Sequence, residues 1–433
     1  SLADLFRCLL CPNLMTIPKN NSEPDAGPLS GYRVLDFGWV LAGAIPGMVL
    51  ADMGAQVIKV EFAASSDYIR RAPPFADDQP GPNRSGFFNN LNRNKLGVTL
   101  NVAHPDGLEL LKRLISISDV FIENFSSRVL TRWGLDYPEQ RKLRPDIIYA
   151  SLSGFGHSGR HQDYTTWGPT AQALSGLTFM SGLPGQMPAG WGYSFLDHTA
   201  GYYAATAIMM ALHHRHRTGQ GQWVDISQVE TGMVMTGPAL LDYTVNDRPY
   251  RRDGNPPGNR SMHPRVAPHN VYQCLGDDRW CAISVFTDEE WAGLCDAMGQ
   301  PSWTREVRFA TGEARVENEE ELDGLIGDWT LRHEAEEVMT MLQAAGVKAG
   351  VVQTSADKVD RDPQLRARGF FPVADHPEIG PYEFEGFPAL FSGTGAALHR
   401  ASPVLGQDNE LIYRELLGLE EVDYHQLAEE AVF

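Results

Sequence analysis

From Arg33 onward the sequence alternates short β-rich runs with longer helical ones, and that alternation leaves few folds open. Strands joined by helices run parallel and are covered on their faces, so an α/β architecture with a parallel sheet is expected. The strands fall at Arg33–Phe37, Gln56–Val60, Asp119–Ile122 and Asp146–Ala150. Between them Ala44–Met53 and Pro105–Ile117 read as helices, the second opened by Pro105 and carrying Leu108, Leu110, Leu111 and Leu114. No dinucleotide fingerprint is present: Gly38, Gly43 and Gly47 are too widely spaced and Pro46 intrudes, so neither a nicotinamide nor a flavin is expected.

Around Asn246–Gly258 the periodicity gives way to Pro, Gly and charge, which marks a linker. Beyond it Val271–Cys274 and Cys281–Val285 flank Gly276-Asp-Asp as a hairpin, and Glu289–Met298, Glu319–Trp329 and Ala335–Ala345 read as helices. The acids from Glu317 to Glu321 are a solvated helix start. After Val347–Val352 the chain turns back through Pro363 and the glycine-rich Gly380–Gly395 region to a helix pair, Glu410–Leu417 and Val422–Ala428. The expected organisation is a flexible lead-in over 1–27, a large domain over 28–245, a linker and small α+β domain over 246–345, and a return over 346–433.

A chain of 433 residues is long for one core, which favours two domains. A formal charge of −19 argues against nucleic acid or an acidic membrane as partner. Five cysteines, an odd number, with Cys274, Cys281 and Cys295 in apolar surroundings, make no disulfide framework and point to a reducing, cytoplasmic compartment. Cys8 and Cys11 have the spacing of a zinc half-site but lack a second pair, so no metal is expected. No run approaches the roughly 20 apolar residues of a membrane span, and the first residues lack a basic start and a cleavage site.

Asp197 is the residue on which function turns. It precedes an Ala-, Met- and Leu-rich helical run over Ala200–Leu212, where an N-cap would sit, and the plain reading of such an Asp is capping. Free backbone N–H groups and the helix dipole would hold its carboxylate ionised there. Other segments change that reading: Gly31–Phe37, Val40–Gly43 and Leu50–Glu61; Asn94-Lys95 with Leu100; Asp119–Phe125 leading to Arg132; the Asp197 stretch with Arg217–Gln222 and Val224-Asp-Ile-Ser; and Pro403-Val-Leu-Gly-Gln. In this order and spacing they resemble the class III CoA-transferases over most of the chain.

The resemblance implies a Rossmann-like large domain built from both chain ends, a smaller inserted domain, and two chains interlocked like links, with the active site at their junction. The dimer would be of identical chains or of two homologous ones. It implies that Asp197 attacks an acyl-CoA thioester and receives CoA in turn. Matched residue by residue, Val40 and Ala42 would border CoA, Asn124 and Phe125 would line the pantetheine path, Leu100 also matches, and Arg132 would meet a phosphate. Phe62 and Ala103 stand where related enzymes often carry bases, and Arg70 and Arg71 are close enough in sequence to replace the first. With so negative a chain, these cations would have to be gathered locally.

Trp167 stands where acyl-CoA racemases of the family carry a second acid/base His, which favours transfer over racemisation. Gly168 stands where many transferases have an acid. The glycine-rich covering loop of formyl-CoA transferase has its counterpart in Gly258–Pro264, where Arg260 and His263 are candidates for the acceptor carboxylate. His157 and His161 flank glycines, His213, His214 and His216 close a helix, and His198 adjoins Asp197. Serine-hydrolase, P-loop and zincin motifs are missing. The expected function is transfer of CoA from an acyl-CoA such as succinyl-CoA to a carboxylic acid. The Trp-Gly-Pro and Gly-Trp-Gly-Tyr segments most resemble benzylsuccinate CoA-transferase subunits, which makes an aromatic succinate one candidate acceptor. A racemase or a non-catalytic CoA-binding subunit is the alternative.

Overall fold

The computed structural model describes residues 27–433; the lead-in up to residue 26 and the Cys8–Cys11 pair lie outside the described residues. Six parallel strands form one sheet: β1 (Arg33–Phe37), β2 (Gln56–Glu61), β3 (Leu96–Thr99), β4 (Val120–Glu123), β5 (Ile148–Ser153) and β6 (Trp223–Ser227). Their order is β3-β2-β1-β4-β5-β6, the doubly wound order whose direction reverses between β1 and β4. Expected strands and helices are found with ends shifted by a few residues. Two strands of this sheet were missed: β3 is four residues long and interrupted by Gly97, and β6 has exposed residues at its start.

Side chains alternate across the sheet as the strand period requires. Val34, Val57, Val120, Ile122 and Ile148 enter one core, with α1 (Val40–Asp52) and the end of a long helix, Phe195–Thr218, packed on it. Leu35, Phe37, Ile58, Phe121 and Tyr149 enter the other, under α2 (Pro105–Ser116). Every residue of α1 from Leu41 to Asp52 is buried, so it forms in spite of Gly43, Pro46 and Gly47, and it starts at Val40 rather than at Ala44. Packing outweighs propensity there.

Charged groups are buried beside these apolar ones. Lys95 Nζ donates to Asp36 Oδ2 at 2.8 Å and to the Ala44 carbonyl at 2.8 Å. Lys59 pairs with Asp67 at 3.1 Å, and Arg70 with Glu61 at 2.7 Å. All six groups are essentially inaccessible to solvent. The chain's last part returns to the same region: Asp408 Oδ2 accepts from the Gly97 N–H at 2.7 Å, Asn409 Oδ1 accepts from the Thr99 N–H at 2.9 Å, and the Tyr413 hydroxyl donates to the Thr99 carbonyl at 2.7 Å. These groups occupy the open edge of β3, which would otherwise offer free backbone donors and acceptors.

A separate antiparallel sheet holds β7 (His269–Gln273), β8 (Trp280–Ser284) and β9 (Lys348–Val351), with its own core of Tyr272, Ile283, Leu294, Phe309, Leu322, Ile326, Val338 and Leu342. The expected hairpin is β7–β8. Strand β9 pairs with β8, so this sheet runs past the expected boundary at 345, because Ala349 and Val351 complete its apolar face. The first helix of the expected C-terminal pair, over Leu411–Leu416, is a π-helix. No helix among the described residues is long and apolar enough to cross a membrane.

Replacing Lys95 by Ala strands the Asp36 carboxylate without its cation in the core. Equilibrium urea unfolding is expected to show a loss of about 3–5 kcal/mol, the range for breaking a buried ion pair from one side.

Candidate active site

Ligands of doubly wound sheets bind beyond the carboxyl ends of the strands where the order reverses, here the ends of β1 and β4. Two chain segments meet there. Asn124, just after β4, accepts the Trp39 N–H at 2.7 Å and donates to the Trp39 carbonyl at 2.9 Å, locking the turn that follows β1. The next residue, Val40, has φ of +58°, a costly conformation for a β-branched side chain. The Asp67 carboxylate, fixed by Lys59, holds the Val40 N–H at 3.1 Å and keeps it there. Glu123 Oε2 accepts the Phe125 N–H at 2.7 Å, and the Tyr149 hydroxyl donates to Oε1 at 3.0 Å. Burial pushes the Glu123 carboxyl up to about 8, against the lowering pull of these two donors.

Val40, Asn124 and Phe125, expected to share a site, are therefore brought together. Phe125, Trp39, Phe62 and Trp133 pack edge to face or tilted, with ring centroids 5.5–6.2 Å apart. Phe62 thus lies in an aromatic cluster where a cation stands in related enzymes. Arg132 is exposed, its Nε donating to the Arg128 carbonyl at 3.3 Å, and Arg71 is exposed as well. Ala42 is buried against Leu152, Ala200 and Ala204, behind the turn.

Two expected CoA residues are corrected. Arg70 is wholly buried: its guanidinium meets both Glu61 oxygens, donates to the Pro82 and Pro403 carbonyls, and lies 3.6 Å over the Phe88 ring. Its donors are consumed by the fold, so Arg70 has none to offer a phosphate. Leu100 has no exposed surface and belongs to the core under α2. Its match to the family is a packing position.

Asp197 is also displaced from its expected place. The long helix, α4 (Phe195–Thr218), following α3 (Gly168–Leu174), is preceded by Ser194 at its N-cap, so Asp197 lies in the first turn. It is 7 % exposed. Gln228 Nε2 donates to Oδ1 at 2.5 Å. Oδ2 faces Gly168, where a Cβ would come within 2.7 Å of it. Burial raises the Asp197 pKa, while the hydrogen bonds from Gln228 and Ser194 and the charge of His198 pull it down. The first expectation, a carboxylate simply held ionised by a helix end, omitted this desolvation.

Trp167, next to Gly168, is 63 % exposed and meets the ring of Tyr68 edge to face at 6.0 Å. His198 donates from Nδ1 to the Ser194 carbonyl at 3.1 Å, and its Nε2 shares a hydrogen bond with the Tyr193 hydroxyl at 2.9 Å. Arg260 is turned to Glu319 and Asp323, each at 3.6 Å, and His263 is exposed. Among the described residues no hydrogen bond or ion pair joins Arg260 or His263 to Asp197. The pairing of Arg260 with carboxylates of the second sheet competes with its expected role at an acceptor. Elsewhere, ligand atoms of His104, Asp106 and Glu430 lie within 4.8 Å of one another at the surface, but His104 Nδ1 already accepts the Asp106 N–H at 3.3 Å.

Gln228 was missed. Its signal lay one residue beyond the Val224-Asp-Ile-Ser family segment, which the structure shows to be part of β6: the residue after a strand's carboxyl end is where sites of this fold are built.

The arrangement is a desolvated carboxylate with one oxygen anchored by Gln228 and the other facing the bare Cα of Gly168, beside the Ser194 side chain. A carboxylate so placed can add to an acyl carbon. Sequence comparison agrees. A model of CoA-transferase family III matches residues 29–409, and the chain belongs to that family. It is 35 % identical to a succinyl-CoA–D-citramalate CoA-transferase of Chloroflexus aurantiacus over 94 % of this chain and 98 % of the relative. It is 32 % identical to a succinate–glutarate CoA-transferase of Agrobacterium fabrum, over 91 % and 96 %. A CAIB/BAIF family protein from Brucella suis has a similar structure, with a TM-score of 0.80 and 30 % identity over 90 % of this chain and all of that one.

Gly168→Ala would push a methyl against Asp197 Oδ2 and the Ser194 side chain, both movable. The expected outcome is a fall in turnover of about tenfold or more from nucleophile misplacement, with thermal stability nearly unchanged, checked by steady-state kinetics beside a melting curve.

Proposed function

We propose that this enzyme moves CoA from succinyl-CoA to a second carboxylic acid, with Asp197 as covalent nucleophile. The observation that carries this reading is the buried Asp197 carboxylate, anchored at Oδ1 by Gln228 and with Oδ2 facing Gly168, where no side chain intrudes from that residue. The ionised carboxylate adds to the thioester carbonyl, the C–S bond breaks, and CoA thiolate leaves a mixed anhydride. Thiolate then attacks the Asp197 carboxyl carbon, releasing succinate and forming an aspartyl-CoA thioester. The acceptor carboxylate repeats both steps in reverse, so no net proton or water is consumed. Water must be kept out, since hydrolysis of either intermediate wastes the thioester.

CoA would lie along Val40, Asn124 and Phe125, with its phosphates reached by the exposed Arg71 and Arg132 in place of Arg70. The named relatives pair succinyl-CoA with D-citramalate and succinate with glutarate, which supports short dicarboxylates as acceptors. An aromatic succinate belongs to the same chemical class, and the exposed rings of Trp167, Trp191 and Tyr193 offer it a wall.

The site is completed by a second chain in this reading. Helix Gly237–Asn246 has no buried residue, although Leu240, Leu241, Tyr243 and Val245 lie on it. Leu174, Phe179, Leu183 and Met187 are likewise exposed on the segment leading to Asp197. Apolar surface so extensive needs cover, and an interlocked dimer, of this chain or with a homologous one, would supply it.

Incubation with succinyl-CoA followed by hydroxylamine should mark the Asp197 peptide by mass spectrometry, and Asp197→Ala should abolish both mark and transfer. A retained rate in Asp197→Ala would overturn the reading. Because burial raises the Asp197 pKa and the ionised form attacks, the rate must fall as pH drops through that raised value; the acid limb of kcat is expected above the ordinary Asp value of about 3.9. Light scattering of the purified chain should give twice the chain mass, or the monomer mass with a dimer appearing only when a homologous chain is added.

A further inference from the structure

The bond from Gln228 to Asp197 is placed by features that do not depend on Asp197. Strand β6 ends at Ser227, paired in register with Ser153 of β5, and helix α5 (Gln228–Met233) opens at once. The Ser227 hydroxyl caps that helix at the Glu230 N–H, 3.3 Å, and reaches the Gly154 carbonyl at 3.2 Å. Thr231 donates to the Gln228 carbonyl at 2.7 Å. At Gly232 a Cβ would meet the Ser175 Cβ at 2.5 Å and Leu196 Cδ1 at 2.9 Å, so a missing side chain lets α5 lie against the start of α4. Gln228, 6 % exposed, therefore reaches Asp197 from a rigid strand end, and rigid placement is what preorganised donors require.

We propose that Gln228 is a catalytic hydrogen-bond donor that makes the two oxygens of Asp197 inequivalent. Held through Oδ1, the carboxylate attacks with Oδ2, the oxygen over Gly168. In the mixed anhydride Oδ2 is the bridging oxygen and Oδ1 the carbonyl oxygen of the aspartyl half. When CoA thiolate adds to the aspartyl carbon, its electron pair forms the C–S bond and the carbonyl pair moves onto Oδ1. That oxyanion develops against the Gln228 N–H. Collapse restores the carbonyl, breaks the bond to Oδ2, and releases succinate carrying Oδ2. The acceptor carboxylate generates the same oxyanion when it adds to the aspartyl-CoA thioester. An amide suits the task because it does not titrate and stays a donor at every pH of turnover.

The proposal rests on Asp197 being the covalent nucleophile, and two variants test it in the full-length enzyme. Gln228→Leu should keep KM for succinyl-CoA and lower kcat by about 10- to 1000-fold, the cost of one such donor. Its acid limb should move to higher pH, because a donor that favours the ionised Asp197 is gone. Gln228→Glu keeps the shape, and its carboxyl donates to Asp197 only while the pair shares one proton. Its kcat should gain a descending limb as pH rises through the second ionisation, where the wild-type profile is flat. A merely structural glutamine would not produce that inverted dependence. If both variants fold, judged by circular dichroism, and keep the wild-type kcat and pH profile, the proposal is overturned. Should Gln228→Leu fail to fold, the limb in Gln228→Glu decides alone. An Asp197→Ala variant that still transfers CoA would instead refute the covalent reading, which separates the two failures.

Discussion

The buried ion pairs around β1 and β2 are the constraint on which the rest of the molecule depends. Asp36, Lys59, Glu61, Asp67, Arg70 and Lys95 balance in charge, three acids against three bases, within a region closed to solvent. Each charge alone would be expelled from such surroundings, so the set holds only as a set. Its geometry reaches outward. Lys59 fixes Asp67, Asp67 holds the backbone of Val40 in its left-handed turn, and Asn124 locks the neighbouring Trp39. The switch-point crevice is thereby built from rigid backbone, not from mobile side chains.

The same economy governs Asp197. A nucleophile must be ionised yet only lightly solvated, and those demands conflict, since removing water favours the neutral acid. Burial in the first turn of α4 raises its pKa, and the donors Gln228 and Ser194, with the charge of His198, restore part of the loss. A fully hydrated carboxylate would be ionised but poorly reactive. One buried without donors would be pushed further toward the neutral acid.

The alternation of strands and helices was legible because a two-residue period and a helical period both write themselves into the chain, and the parallel sheet followed from it. Leu96–Thr99 was not legible, since four residues with a central glycine carry no pattern of their own. Its strand exists because β2 lies beside it and Asp408 and Asn409 occupy its edge. The candidate site was partly legible through a family motif, which singled out Asp197, Asn124 and Phe125. The motif said nothing about which basic side chains remain free: Arg70 looked like a phosphate ligand until its guanidinium was seen to be consumed by Glu61 and two carbonyls.

By itself the sequence determined the fold class and the family and singled out Asp197, because each of these is carried by local periodicity or by short runs of fixed order. Tertiary structure decided what surrounds Asp197. Gln228 is thirty-one residues from Asp197 and Gly168 twenty-nine, on different elements, and only the packing of α3, α4 and α5 against one another sets one on Oδ1 and the other beneath Oδ2. Hydrogen bonding and desolvation act over a few ångströms in space, and a linear chain does not state which of its distant residues will share them.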